Sequence, residues 1–217
     1  MSDDGLRELD AIRTLFLRMF IRAESMVRLS IRSLVEHDPP LARSVIADDE
    51  ELDDLEIQID ALCASFLERH RPSGSQLRMV ITIMKMVTDI ERIGDLATII
   101  AERGLELATD LGIQPGLDLP KIGVTAADLV RQASDAFITE DTAAARALVR
   151  RSGEVDTQSE AAFALLIPAM VAHPDQIPRA LALHSISRTL GRISAHARNL
   201  GEMVVYLVEG RDVRHKR

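Results

Sequence analysis

Apolar residues recur at intervals of three or four along most of this chain, and that spacing is typical of amphipathic helices. In the first segment the apolar positions are Leu9, Ile12, Phe16, Met19, Phe20, Ala23, Val27, Ile31 and Leu34. Alternating apolar runs and Asn-Gly hairpin signals, which mark strands, are missing, and aromatic residues make up only 3% of the sequence. We therefore predict an all-α protein whose core is aliphatic and methionine side chains packed helix on helix.

Helix-breaking segments interrupt this periodicity at fairly regular intervals. They are Asp38-Pro39-Pro40, Arg71 to Ser75, Gly112 to Pro120, Thr139-Glu140-Asp141 and His173-Pro174-Asp175. Several of them combine an N-cap side chain with a proline near the first helical turn, where the missing N–H does no harm. The pattern predicts six long helices.

An internal repeat relates the two halves of the sequence. Asp38, Ala42, Arg43 and Asp53 align with Asp141, Ala145, Arg146 and Asp156, while Arg92, Ile93, Ala97 and Glu102 align with Arg192, Ile193, Ala197 and Glu202. We predict two pseudo-repeated antiparallel three-helix bundles, at residues 1–111 and 119–209. Residues 112–118 would form the linker between them, and residues 210–217 a basic C-terminal tail.

Composition limits the partners that such a chain can have. A formal net charge of −8 disfavours binding to nucleic-acid phosphates, which depends on lysine and arginine. The single Cys63 has no disulfide partner, which favours a reducing compartment. The N-terminus lacks signal-peptide features, and the apolar run from Ala161 to Ala172 is far shorter than the ~20 residues that span a bilayer. We expect a cytoplasmic protein without nucleic-acid partners or direct membrane insertion.

Acidic residues form the most suggestive pattern. Glu91 and Asp95 are four positions apart, so their carboxylates project from one helix face. The preceding helix carries a stripe of acids at Asp49, Asp53, Glu56 and Asp60. If the two helices fold back on each other, these carboxylates can share a cation such as Mg, Mn, Fe, Zn or Ca. The alternative, a merely solvated acidic surface, stays open. Asp89 is a weaker candidate ligand, because Arg92 at i+3 can pair with it.

Three segments resemble the PhoU family over essentially the whole chain. They are A-R-S-V-I-A-D-D-E-E-L-D-D-L-E from Ala42 to Glu56, the turn R-P-S-G-S-Q-L-R, and D-I-E-R-I-G-D-L-A from Asp89. The resemblance implies paired three-helix bundles, a repeated metal-binding E/D-x-x-x-D motif, a homodimer and a role in phosphate signalling. It further implies a negative regulator of phosphate-responsive signalling and uptake, an adaptor between the ATPase subunit of a phosphate ABC importer and a sensor histidine kinase.

The chain departs from the family pattern in both motifs. The frequent His and Asn of the first motif are Leu96 and Ile99 here, and the second motif has Gly191 and Ala195 where carboxylates are common. We therefore predict metal in the first repeat only, bound by Glu91 and Asp95 with help from Asp49, Asp53 or Glu56. His196 is retained, and we expect it to be solvated or to face phosphate. Arg188, Arg192 and Arg198 are candidate contacts for an acidic partner or an anion.

Other classes of function have less support. Di-metal carboxylate enzymes need Glu-x-x-His pairs, and this sequence contains none. A P-loop, a nucleophile elbow and a dinucleotide fingerprint are also missing from the sequence. We therefore predict that the protein is not an enzyme. The remaining alternative is a carboxylate metal-binding helical-bundle protein without a signalling role.

Overall fold

A computed structural model describes residues 3–108 and 117–211 of the chain. These residues form six α-helices, which confirms the predicted all-α class. The helices are α1 (Asp3–Val35), α2 (Pro39–His70), α3 (Gly74–Leu107), α4 (Leu119–Thr139), α5 (Thr142–Ala172) and α6 (Ile177–Glu209). A short 3-10 turn, Pro174–Gln176, separates α5 from α6. Most of the predicted linker at 112–118 and of the tail at 210–217 lies outside the described residues, and the domain boundaries stay a prediction.

Aspartate caps begin three of the helices. Asp38, Asp118 and Asp141 each accept a hydrogen bond from a backbone N–H in the first turn of the helix that follows. Proline occupies the first turn after Asp38 and Asp118, as the breaker segments predict. Ser73 stands at the start of α3 but makes no side-chain capping bond. The helix starts at Asp38, Asp118 and Asp141 therefore follow local sequence.

Four helices form the centre of the molecule, with α1 packed on α3 and α4, and α6 packed on α3 and α4. The other two helices lie on opposite flanks: α2 packs on α1 and α3, while α5 packs on α4 and α6. The buried apolar side chains of all six helices form one continuous core. The two repeats are thus halves of a single packed body, joined through the α1–α4 and α3–α6 contacts.

Small residues and cross-helix contacts fix how the halves meet. A Cβ built on Gly123 of α4 would lie 2.5 Å from Cγ1 of Ile31, so glycine lets α1 and α4 approach closely. Nearby, Arg28 pairs with Asp128 at 2.9 Å. Across α3 and α6, Arg78 Nε donates to the carbonyl of Leu207 at 2.7 Å. Within the described ranges, no helix combines the length and the hydrophobicity that crossing a membrane demands.

Candidate functional site

The predicted meeting of α2 and α3 depends on one glycine. Gly94 is buried, and a Cβ built there would overlap Cδ2 of Leu52 and lie 3.5 Å from Oδ1 of Asp49. Gly94 and Asp49 are nearly equal distances along the chain from the turn at Arg71, as an antiparallel pair of helices requires. The absent side chain lets the two backbones approach and brings the acidic stripe of α2 beside the acids of α3.

Five carboxylates meet along this contact, and we call them the acidic patch. Its members are Asp49, Asp53 and Glu56 of α2 and Glu91 and Asp95 of α3. Electrostatic repulsion links members on the two helices: Asp95 acts on Asp49, and Glu56 acts on Glu91. The structure therefore brings together the five residues that the sequence nominates as metal ligands.

Burial and repulsion raise the pKa of three carboxyl groups in the patch. The pKa of Glu91 rises to about 7, chiefly through burial and then through the charge of Asp95, with Arg92 opposing. The pKa of Asp49 is raised by burial and by Asp53, and that of Glu56 by burial and by Asp60. Burial is the largest cause for each of the three groups, and repulsion from neighbouring carboxylates adds to it.

Arg92 is the cation that opposes this charge. Its Nη1 donates to Oδ2 of Asp95 at 2.7 Å, and its Nε lies 3.4 Å from Oε2 of Glu91. The sequence predicted that Arg92 would instead pair with Asp89, and that prediction is wrong. Asp89 and Arg92 have the right spacing, but Asp95 is also three positions away and lies among acids that attract the guanidinium.

A hard cation suits the chemistry of the patch, since carboxylate oxygens are the donors such ions prefer and added positive charge would relieve the repulsion. Among the residues that the structure describes, however, no three His, Cys, Asp or Glu side chains are already gathered to hold one metal ion. Binding would require side chains to move, including release of Asp95 by Arg92. Metal in the first half stays a prediction.

Asp89 belongs to a contact between the halves that the sequence did not predict. Its Oδ1 lies 2.7 Å from Nδ1 of His196 and 3.1 Å from Nδ2 of Asn199, both on α6. An ionised carboxylate only accepts, so the imidazole and the amide donate to it. His196 therefore contacts a carboxylate of the other repeat and does not point to solvent or to phosphate, so the expectation for it is wrong. The sequence did contain a sign of this contact, because the second motif keeps a His and an Asn where the first motif has Leu96 and Ile99.

The second half lacks the acidic patch. Gly191 and Ala195 stand in place of Glu91 and Asp95, and a Cβ on Gly191 would lie 2.9 Å from Oγ of Ser159. Among the predicted partner contacts, Arg198 pairs with Asp156 at 3.0 Å. Arg188 and Arg192 are exposed and line an open groove between α5 and α6. Acidic groups therefore meet between α2 and α3, whereas exposed arginines line the matching place between α5 and α6.

Comparisons with known proteins agree with this architecture. The PhoU domain matches the chain twice, at residues 16–104 and 119–204. A phosphate-specific transport system accessory protein PhoU homolog from Pseudomonas putida is 37% identical over 209 residues, covering 96% of this chain and 82% of the relative. The phosphate-specific transport system accessory protein PhoU of Escherichia coli is 29% identical over 208 residues, covering 96% and 86%.

Solved structures show the same fold. The crystal structure of PhoU from Pseudomonas aeruginosa superposes with a TM-score of 0.91 at 33% identity, covering 94% of this chain and 99% of that one. A phosphate transport system regulatory protein PhoU from Streptococcus pneumoniae gives a TM-score of 0.86 at 25% identity, covering 96% and 99%. Both repeats, their helix order and nearly the full length are shared with these proteins, and the chain therefore belongs to the PhoU family.

Proposed function

We propose that this protein is an accessory regulator of a phosphate-specific importer and restrains phosphate-responsive gene expression when phosphate is plentiful. The observation that carries the proposal is the similarity over nearly the whole chain, in both repeats, to phosphate-specific transport system accessory proteins.

The finer proposal is that the protein acts as a cytoplasmic homodimeric adaptor between the importer's ATPase subunit and a sensor histidine kinase. A stiff body with one continuous core can present separate surfaces to two partners without large rearrangement. The acidic patch between α2 and α3 and the arginine-lined groove between α5 and α6 provide two surfaces of opposite charge. Opposite potentials favour different partners at the two surfaces.

Deletion of the gene tests the regulatory proposal. A reporter driven by a phosphate-starvation promoter should become active in phosphate-rich medium in the deletion strain and return to its repressed level when the wild-type gene is restored. Reporter output that stays repressed after deletion would overturn the proposal.

The adaptor proposal needs a biochemical test. Affinity purification of the tagged protein after mild cross-linking should recover the importer's ATPase subunit and a histidine kinase, identified by mass spectrometry. A tagged, unrelated helical protein expressed at the same level is the control. Recovery of neither partner above that control would contradict an adaptor role. Purified protein should also leave phosphate esters and nucleotides unhydrolysed, because we propose no catalytic function.

A further inference from the structure

The groove between α5 and α6 is a second candidate site, and it has room for a small molecule. Its volume is about 520 Å³. Besides Glu160, its lining includes Asp156, Ser159 and Phe163 of α5, and His184, Arg188, Gly191, Arg192 and Ala195 of α6. We call it the α5–α6 groove.

The groove occupies the place in the second half that the acidic patch occupies in the first. Two pairs of contacts establish the correspondence. Gly94 approaches Asp49 in the first half, and in the second Ser194 Oγ donates to the carbonyl of Ser152 at 3.1 Å. Glu91 is close enough to Glu56 to be repelled by it, and the matching residues of the second half, Gly191 and Ser159, pack against each other.

Five carboxylates of the first half are replaced at the matching positions. The replacements are Asp49 by Ser152, Glu56 by Ser159, Asp60 by Phe163, Glu91 by Gly191 and Asp95 by Ala195. New cationic or hydrogen-bonding groups appear at the same time, since Met84, Thr88 and Thr98 correspond to His184, Arg188 and Arg198. The second half has thus lost most of the carboxylates that could hold a cation and gained groups that attract an anion.

Two arginines in the groove are not neutralised. Arg188 and Arg192 are four residues apart on α6, and neither forms an ion pair with another described residue. Of the two carboxylates in the groove, Asp156 is already paired with Arg198 and only Glu160 remains to oppose them. The balance of the facing groups is therefore positive.

Polar and aromatic groups beside the arginines add to the site. Nδ1 of His184 is buried and has no hydrogen-bond partner among the described residues. The His184 ring lies 4.9 Å from the ring of Phe163, which is 42% exposed. Burial and the charge of Arg188 lower the pKa of His184, so its ring is neutral at neutral pH and can donate or accept. An unsatisfied buried polar atom and an exposed aromatic face both indicate a ligand.

We propose that the α5–α6 groove binds a phosphomonoester, with its phosphoryl group on Arg188 and Arg192 and its organic part against Phe163 and Ala195. Guanidinium groups bind phosphoryl oxygens through paired, charge-assisted hydrogen bonds. The groove is much larger than a single phosphate ion, and the exposed Phe163 ring gives an apolar surface for the rest of the molecule. This proposal does not rest on the regulatory function proposed above.

Calorimetric titration of the full-length protein with phenyl phosphate tests the proposal. We expect one site, binding at least about tenfold tighter than inorganic phosphate because the phenyl ring adds apolar contact, and no binding of phenol. Arg188→Gln with Arg192→Gln should weaken phenyl phosphate binding at least about tenfold, since charge-assisted hydrogen bonds are lost. Arg43→Gln with Arg150→Gln removes the same charge from exposed positions outside the groove and should change nothing.

Substitution of Phe163 tests the contact with the organic part of the ligand separately from the contact with its phosphoryl group. Phe163→Ala should weaken phenyl phosphate binding several-fold and leave the affinity for inorganic phosphate unchanged, with unaltered circular dichroism; Phe163→Leu is the fallback if the alanine variant does not fold. The proposal is overturned if the wild-type protein fails to bind phenyl phosphate at millimolar concentration. It is also overturned if the two arginine double variants lose affinity equally, or if phenyl phosphate binds no tighter than inorganic phosphate.

Discussion

Acidic side chains meet between α2 and α3 in the first half of this protein, whereas arginines line the matching groove between α5 and α6 in the second half. In the first half, α2 and α3 bring five carboxylates together, and burial with mutual repulsion raises the pKa of Glu91 to about 7. In the second half, Arg188 and Arg192 of α6 line the α5–α6 groove without an ion-pair partner among the described residues, and Asp156 is neutralised by Arg198.

The difference shows that packing and electrostatics vary independently in a repeat. Buried apolar positions correspond closely in the two halves, for example Leu52 with Val155 and Ile93 with Ile193, so both units fold alike. The acids between α2 and α3 remain at least partly exposed, while the serines that replace two of them, Ser152 and Ser159, are buried and hydrogen-bonded. These positions can change in charge without loss of the fold, and each half can serve a different ligand.

The largest expected effect is on metal binding, which should occur in the first half alone. In Glu91→Ala with Asp95→Ala the affinity for a divalent cation should fall at least about tenfold, because a carboxylate site depends on ligand number and charge. Elemental analysis after equilibrium dialysis measures it. Asp156→Ala with Glu160→Ala is the control in the second half and should leave metal content unchanged. Full metal content in the first double variant would refute the assignment.

Rebuilding the acidic pair in the second half sharpens the same comparison. Gly191→Glu with Ala195→Asp restores the two carboxylates, but the new Cβ at position 191 would lie 2.9 Å from Oγ of Ser159, which donates to the carbonyl of Ser187. We expect a destabilised protein that gains little metal, because Arg188 and Arg192 stay nearby. Metal content equal to that of the first half would show that the flanking arginines are unimportant.

Gly94 gives the largest expected change in stability. Gly94→Ser copies the residue of the second half, Ser194, into a place where Leu52 leaves no room for a Cβ. We expect a loss of about 1–3 kcal/mol in the free energy of unfolding, as for other overpacked cores. Urea denaturation measures it. Gly153→Ser, at a helical glycine with open space around it, is the control and should be neutral or slightly stabilising. Equal stability of the two variants would contradict the close approach of α2 and α3.

The contact between Asp89 and His196 joins the halves directly. Asp89→Ala leaves the half-buried donors of His196 and Asn199 without their acceptor. The free energy of unfolding should therefore fall by about 1–2 kcal/mol. In a double-mutant cycle with His196→Ala we expect a coupling of about 1 kcal/mol. Asp128→Ala, which removes the exposed partner of Arg28 between α1 and α4, should lose less. Additive effects of Asp89→Ala and His196→Ala would show that the two side chains do not interact.

The smallest expected effect is the pH dependence that Glu91 gives to the first half. The folded pKa of Glu91, about 7, exceeds its ordinary value of 4.5, so the folded state holds the proton more tightly. Glu91 therefore does not destabilise the folded state below pH 4.5, and the free energy of unfolding falls as the pH rises from about 4.5 to 7. Solvent screening limits the loss to about 1 kcal/mol.

Denaturation in metal-free buffer across that range measures this loss. Glu91→Gln should make the decline smaller and be more stable than the wild type at pH 8, with Asp49 and Glu56 accounting for what is left. Glu160→Gln, at an exposed site on α5, should leave the decline in place. An unchanged pH profile in Glu91→Gln would mean that Glu91 is not the titrating group.

More of the fold than of the candidate site could be predicted from the sequence. Helix number, the Asp38 and Asp118 starts and the internal repeat follow from local patterns, because capping and periodicity depend on near neighbours. The acidic patch was also predictable, since its acids lie on one face of each helix. The partner of Arg92 and the role of His196 were mispredicted, because each depends on which helix lies opposite.

The amino-acid sequence by itself determined the six helices, the duplication and the loss of carboxylates at Gly191 and Ala195. Only the tertiary structure decided that the two repeats share one core and that Asp89 accepts hydrogen bonds from His196 and Asn199. It also decided that Arg188 and Arg192 lie beside Phe163 in a groove without an ion-pair partner in the described part of the chain. The reason is physical. Helix formation is governed by residues three or four apart, whereas the neutralisation of a charge depends on side chains that α3 and α6 bring together from positions about a hundred residues apart.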